Sequence, residues 1–507
     1  MRTKNSIKNI AFGIAGQLVS TLLNFVSRTV FIYVLGANYL GVNGLFSNIL
    51  SMLSLAELGV GSAIIYNMYK PLAENDKEKL KSLMKLYARA YNYIGCIVAI
   101  IGLTITPFLD YIIKDKPDIP NLTFIYLLFL LNSVVSYFFV YKSSLIVADQ
   151  KNYIVTIKYQ KYALIQAVAQ IIILFVTKNY ILYLCIQIIC SFTVNLSISR
   201  KADELYPFLR ENNVELLDDK SKKQIFKHVT AMMSHKVGGV VVNGTDNILI
   251  SSFVGVFWVG LYSNYVMIIG ILNKFIGQVF TAITASIGNL NAEKDIEKSY
   301  NVYKKILFVN FWLYGMCTIC LWILFKPFIE IWIGNKFLLP SSSVLIIIVN
   351  FYLSGMRQTT IAFNTTLGLF WNDRYKPWIE AIINVIASII LLSKFGIIGV
   401  FLGTLISTVT TSLWVDPYIL FKHGFNKTLS LYFKSYLKYI IITIITGIIT
   451  SYITQFIQIN GFIGFIIKGI VCVALINIIF LIICFKSKEF KYFEDMIKNT
   501  IRKIFKK

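Results

Sequence analysis

Residues 27–64 read SRTVFIYVLGANYLGVNGLFSNILSMLSLAELGVGSAI. An apolar run closes at Leu35, a glycine-marked turn follows, and a second apolar run opens within a few residues. Two apolar runs joined so tightly describe a helical hairpin in a membrane. A span needs roughly 20 apolar residues to cross about 30 Å of hydrocarbon, and in lipid the backbone must satisfy its own hydrogen bonds, which an α-helix does. The turn recurs later. Leu35-Gly36-Ala37-Asn38-Tyr39-Leu40-Gly41-Val42 and Val254-Gly255-Val256-Phe257-Trp258-Val259-Gly260-Leu261 both run aliphatic-Gly-x-x-aromatic-aliphatic-Gly-aliphatic. On that offset Asn24 falls on Asn243.

Working outward, the same alternation of apolar run and short break fills the chain. Of its 507 residues, 56% are hydrophobic and 15% charged, against about a quarter charged in a soluble domain. About fourteen transmembrane helices are expected, at 9–36, 40–67, 84–113, 121–147, 153–176, 179–199, 224–252, 256–287, 300–333, 340–369, 376–394, 396–421, 430–455 and 461–485. The fold class is an all-α membrane protein with two pseudo-symmetric six-helix lobes and two extra C-terminal helices. The N-terminal lobe occupies 1–199, a cytoplasmic linker 200–223, the C-terminal lobe 224–425, the extra helix pair 426–485, and a basic amphipathic tail 486–507. Spans one and seven start on the same side, so the halves share orientation. Parallel repeats about an axis along the membrane normal are a known transporter plan, and rocking them gives alternating access.

The formal net charge is +24. The basic residues sit in short breaks between apolar runs, which points to topology and anionic lipid, with no nucleic-acid partner. Placing the N-terminus inside puts most Lys and Arg on one face, so both termini are expected in the cytoplasm. The first apolar helix lacks a small-residue cleavage site and reads as a retained span. Inter-span loops are short; the longest, 200–223, is linker-sized. The loops have no room for a catalytic domain, and no GxxxxGK[ST] phosphate loop occurs, so the protein is not expected to be an enzyme. The seven cysteines all lie in apolar segments and read as packing residues, with neither disulfides nor a metal site. In the tail, Phe490, Phe493, Ile497, Ile501 and Ile504 recur at helical spacing between lysines, a helix suited to the inner leaflet.

Polar residues within spans carry the functional reading. An ionisable side chain there costs roughly 2.5–3.5 kcal/mol and so faces a cavity or a partner. Residues three and four apart share a helix face. Gln17, Thr21, Asn24 and Arg28 make such a stripe in span one, and Asn43, Ser47, Ser54 and Glu57 another in span two. His235, Gly239, Asn243 and Asp246, with Lys236 adjoining, follow in span seven, and Asn350, Ser354, Arg357 and Gln358 in span ten. Each could bond across a helix interface; together they fit a water-filled cavity. Arg28, Lys236 and Arg357 are its candidate cations, suited to phosphate oxygens. Gln17, Asn24, Asn43, His235, Asn243 and Gln358 are its candidate polar lining. Glu57 and Asp246 are candidate H+ or Na+ coupling sites, or counter-charges to the cations. No other cofactor is implied.

The stretch 27–64, together with HKVGGVVVNGTDNILISSFVGVFWVGLYSNY at 235–265, resembles the two half-starts of the Wzx-type polysaccharide repeat-unit flippases. These belong to the multidrug/oligosaccharidyl-lipid/polysaccharide exporter superfamily. The resemblance covers essentially the whole chain. It implies transport of undecaprenyl-pyrophosphate-linked oligosaccharide from inner to outer leaflet of a bacterial cytoplasmic membrane, for capsule or exopolysaccharide synthesis. It also implies a cationic cavity with Arg28 as the family's first-span arginine, and membrane lipids and a polysaccharide polymerase as partners. The competing readings are a cation-coupled multidrug-type exporter, a lipid II flippase, and a membrane-embedded polymerase or ligase. Acidic residues should dominate the first, and the short loops count against the last.

Overall fold

A computed structural model describes residues 2–57, 60–211, 217, 223, 244–292, 295–369, 372–459 and 461–505. The described residues are helical, without strands, and twelve helices among them are long and apolar enough to cross a membrane. The chain is an all-α, multi-pass membrane protein. It divides into two compact units, 1–263 and 264–507.

In the first unit, α1 (Arg2–Leu35) leads through Gly36 into α2 (Ala37–Leu53). The single span expected at 40–67 is not one straight helix. It breaks at a 3-10 turn, Ser54–Glu57, and resumes as α3 (Val60–Glu74). The Ser54 hydroxyl donates back to the Ser51 carbonyl at 2.6 Å, tightening the turn so that it departs from the helical ladder. Helix α4 (Lys77–Ile105) starts earlier than its apolar run, because Asp76 caps it by accepting from the Lys79 amide at 2.9 Å. Its continuation passes Pro107 into a one-turn helix, α5 (Leu109–Ile112). Then α6 (Leu122–Ala148), α7 (Asn152–Thr177) and α8 (Tyr180–Leu205) follow close to their expected places. Asn179 caps α8, accepting from the Ile181 and Leu182 amides. Of the expected span at 224–252, only residues 244 onward are described, as helix α9 (244–253).

Helix α10 (Val256–Ala292) begins in the first unit and runs into the second. There α11 (Ile296–Ile333) is capped by Asp295. The expected span 340–369 breaks at Arg357 into α12 (Ser341–Met356) and α13 (Gln358–Thr366). Helix α14 (Lys376–Phe395) turns through Gly396 into α15 (Ile397–Ser407). These two pack backbone against backbone. A Cβ on Gly399 would lie 2.3 Å from the Leu391 carbonyl carbon, and one on Gly403 2.1 Å from the Ser388 hydroxyl. That is the close approach a Gly-x-x-x-Gly face permits. Two wide π turns, Thr408–Ser412 and Leu420–Gly424, flank α16 (Leu413–Ile419).

Helices α17 (Ser430–Gln455) and α18 (Gly461–Cys484) lean on α11: the Phe311 ring stacks on Tyr439 at 4.4 Å and meets Phe480 at 4.8 Å. The seven cysteines are free, and Cys320 of the Cys-x-x-Cys lies 3.9 Å from Cys472. The tail helix α19 (Lys488–Phe505) is not presented to the leaflet alone. Phe490 stacks on Trp312 and Phe493 on Phe308 of α11, while Lys305 sits 3.4 Å over the Tyr492 ring.

Candidate functional site

The two repeated turns meet. A Cβ on Gly41 would fall 1.9 Å from the Val256 carbonyl oxygen, and one on Gly260 2.3 Å from the Ala37 carbonyl oxygen. On the repeat offset, Gly41 corresponds to Gly260 and Ala37 to Val256, so the two contacts are one contact made twice. Reciprocity of this kind marks a local two-fold relation. It extends further: Arg28 bonds Ser263, while a Cβ on Gly44 would lie 3.9 Å from Asn247 Nδ2, and the offset carries Arg28 to Asn247 and Gly44 to Ser263. The contact is a glycine clasp. Gly36 and Gly255, each in the left-handed region at φ 84° and 126°, turn the chain into it.

Arg28 lies roughly 10 Å, at 1.5 Å per residue, from the end of α1. Its Nη2 donates to the Ser263 hydroxyl, which donates in turn to the Gly260 carbonyl at 2.7 Å. The guanidinium is therefore tied directly to the clasp. It also neighbours Tyr183, whose ring packs on Phe31 and Tyr180. The rest of the first stripe divides. Gln17 Nε2 donates to Thr21 within α1 at 3.3 Å, and Asn24 is exposed. The adjoining face packs on α7, with Ser20 donating to Gln160 at 2.8 Å.

The second stripe also divides, because the helix turns at its break. Asn43 donates to the buried Tyr180 hydroxyl at 3.1 Å, fastening α2 to α8. Glu57, on the 3-10 turn, accepts from the buried Tyr91 hydroxyl at 3.1 Å. Asp246 is buried in α9 beside Tyr262, and its Oδ1 has no hydrogen-bond partner among the described residues. Lys236, His235 and Asn243 lie outside the described residues.

In the second unit Arg357 is not an open cavity cation. Its Nε and Nη2 donate to Asp416 Oδ2 at 3.1 and 2.9 Å, and Nη1 lies 3.7 Å from Glu380. Lys376 shares the cluster, 2.6 Å from Asp416 Oδ1 and 3.7 Å from Asp373. Ser412 donates to Glu380 at 2.6 Å. The side chains of Arg357 and Asp416 are only 12% and 2% exposed, so a phosphate could reach this guanidinium only by stranding buried carboxylates. Gln358 is half-buried one residue on, and Asn350 bonds the Phe401 carbonyl at 3.0 Å. Asn350 and Arg357 of the span-ten stripe thus meet α14, α15 and α16, while Ser354 is exposed. Sequence reasoning missed Glu380, Lys376 and Asp416. The signal was present: Glu380 and Asp416 are lone acids in apolar spans, which implies cationic partners.

No family model matches the chain. An uncharacterized membrane protein of Methanocaldococcus jannaschii is 24% identical over 386 residues, 71% of this chain and 74% of that protein. The structure is similar to that of the lipid II flippase MurJ in an inward closed conformation, with a TM-score of 0.64 at 16% identity over 94% of this chain and 99% of that one. It is also similar to an inward-facing multidrug resistance MATE family transporter of the MOP superfamily. That TM-score is 0.61 at 14% identity, over 79% of this chain and 94% of that one. The chain has the fold of MOP-superfamily transporters, and these solved neighbours are transporters and flippases.

Proposed function

We propose that this protein is a flippase that carries undecaprenyl-pyrophosphate-linked oligosaccharide repeat units from the inner to the outer leaflet of a bacterial cytoplasmic membrane by alternating access. A sugar head with two phosphates cannot cross hydrocarbon unaided, because each polar group would lose its water without replacement. The observation that carries the reading is Arg28, a guanidinium within the first span whose hydroxyl partner, Ser263, also holds the Gly260 carbonyl of the clasp. A cation at that depth marks a substrate path, and a guanidinium binds phosphate oxygens in pairs. Arg357 is left to a structural role in the described conformation. Asp246 is the better candidate for a coupling H+ or Na+, given its buried oxygen without a partner among the described residues. Carrying one net negative charge outward gains about 2.3 kcal/mol per 100 mV. The membrane lipids are the medium of the lipid tail, and the polysaccharide polymerase would receive the product.

Arg28→Ala should abolish polymer export and cause lipid-linked oligosaccharide to build up in the inner leaflet, at unchanged protein abundance. Arg28→Lys should restore part of it. Normal export by the alanine variant would refute the role. The fold is shared with a MATE transporter, so a strain lacking the gene is also scored for sensitivity to cationic dyes. Sensitivity with intact surface polysaccharide would favour a drug exporter.

A further inference from the structure

Within the first unit, the C-terminal end of α2 with its 3-10 turn, the middles of α6 and α8 and the first third of α7 line an open chamber of about 440 Å³. That is inside the roughly 300–1,000 Å³ range of small-ligand sites. Ten of its fourteen described lining side chains end in a hydroxyl or a carboxamide, and none of the fourteen is an acid, a lysine, an arginine or a histidine. Such a wall is unusual inside spans whose windows average 2.0 on the hydropathy scale, as those of α6 and α8 do. Polar groups there are costly unless they bond to something.

Several are oriented by their own helices. Ser136 donates to the Ser133 carbonyl and Ser54 to the Ser51 carbonyl, each at 2.6 Å. Their hydroxyl protons are thereby spent on backbone, while their lone pairs remain for a donor. Asn195 Oδ1 accepts from Tyr159 at 3.2 Å, which leaves its amino group to donate. Asn132 Oδ1 is buried with no partner among the described residues. The wall therefore presents acceptors and donors side by side.

We infer that this chamber is a binding site for a neutral polyhydroxylated group, a monosaccharide unit, separate from the Arg28 site. A sugar hydroxyl both donates and accepts, as these serines and amides do. A phosphate would call for lysine or arginine, and a lipophilic cation for a carboxylate or an aromatic cage; the described lining has no charged residue and only two aromatic rings, Phe129 and Tyr159. The inference deepens the glycolipid reading and rests on it for biological meaning, but binding itself is tested apart from transport.

The purified full chain in nanodiscs is examined by saturation-transfer-difference NMR against N-acetylglucosamine, galactose and rhamnose, with pyrophosphate and tetraphenylphosphonium as competitors. Saturation transfer to at least one sugar is expected, with no displacement by either ion. The pair Gln187→Leu and Ser191→Val, which keeps bulk while removing polar groups, should weaken it at least tenfold in protein that remains monodisperse. Gln187→Glu is the second variant: it should lose sugar and acquire tetraphenylphosphonium binding. Arg28→Ala should keep sugar binding, so failure of transport and failure of the chamber are read separately. Absence of transfer from every sugar to the wild type, displacement by either ion, or an unchanged signal in both chamber variants would overturn the site.

Discussion

Gly41→Ala places a methyl group where the Val256 carbonyl oxygen lies 1.9 Å away, and Gly260→Ala places one 2.3 Å from the Ala37 carbonyl oxygen. Ordinary contact begins at 3.4 Å, so the two turns must separate by about 1.5 Å for the first and about 1.1 Å for the second. Neither obstacle is a flexible side chain that could swing aside. Overpacking of this kind costs about 1–3 kcal/mol, which lowers the population of the clasped state on the order of 5–150-fold. One separation clears both collisions, so the double variant should cost little more than Gly41→Ala alone. Such sub-additivity is the signature of a shared contact. Spin labels at Asn38 and Phe257, both exposed, would report the separation by pulsed EPR once the seven free cysteines are replaced. The short-distance population should fall in each variant, and, on the proposed function, export with it. Gly270→Ala and Gly277→Ala, in the same α10 with nothing within 4 Å of an added Cβ, should change neither. An unaltered distance distribution in Gly41→Ala, or sub-additivity replaced by simple addition, would refute the clasp as a single shared contact.

Asp416→Ala leaves Arg357 and Lys376 buried without their nearest carboxylate, and should destabilise the purified protein by about 3–5 kcal/mol, read as a lower melting temperature. Adding Arg357→Met to Asp416→Leu should recover part of that loss, since the guanidinium is no longer stranded while Lys376 keeps Asp373 and Glu380 keeps Ser412. Asn43→Leu strands the Tyr180 hydroxyl, which is buried at 3% exposure, and should cost about 1–3 kcal/mol. Adding Tyr180→Phe should return part of it, measured as a double-mutant cycle on thermal stability.

The order and rough limits of most helices were legible because lipid leaves the backbone few choices: an apolar run of span length must be helical. The repeated turn was legible as well, since its glycines recur at the same places in both copies, but that the two copies meet was visible only in the fold. What failed was the extension of helix-face reasoning past a break. Ser54, Glu57 and Arg357 were read as rungs on straight helices, whereas the chain turns at Ser54–Glu57 and at Arg357. A stripe counted across such a turn mixes faces, so Asn43, Ser47 and Glu57 go respectively to Tyr180, the polar chamber and Tyr91. The partners of Arg357 were missed for a second reason: Glu380 and Asp416 lie on later helices, and face periodicity sees one helix at a time. The chamber was passed over because serines and amides in apolar helices draw less notice than charges, although Ser133, Gln187, Ser191 and Asn195 recur on two helices that pack together.

The geometry also bears on how binding could drive motion. Arg28, Ser263 and Gly260 form one hydrogen-bonded chain from the first span into the clasp. A phosphate that takes the guanidinium competes with Ser263 for it, and a hydrogen bond to a charged group contributes about 1.5–3 kcal/mol. A ligand biases a conformational equilibrium only through its differential affinity for the two states. Losing or regaining this bond supplies a bias on the order of 10–150-fold, similar in size to the cost of parting the glycines. Arg357 cannot serve in the same way, because removing it from Asp416 and Glu380 leaves buried carboxylates behind, at a cost larger than the gain. The two arginines are alike in residue type and in lying within apolar spans. The partner each one has in the folded chain, a hydroxyl on the clasp or a carboxylate in a sealed cluster, separates a side chain suited to signalling occupancy from one suited to holding helices together.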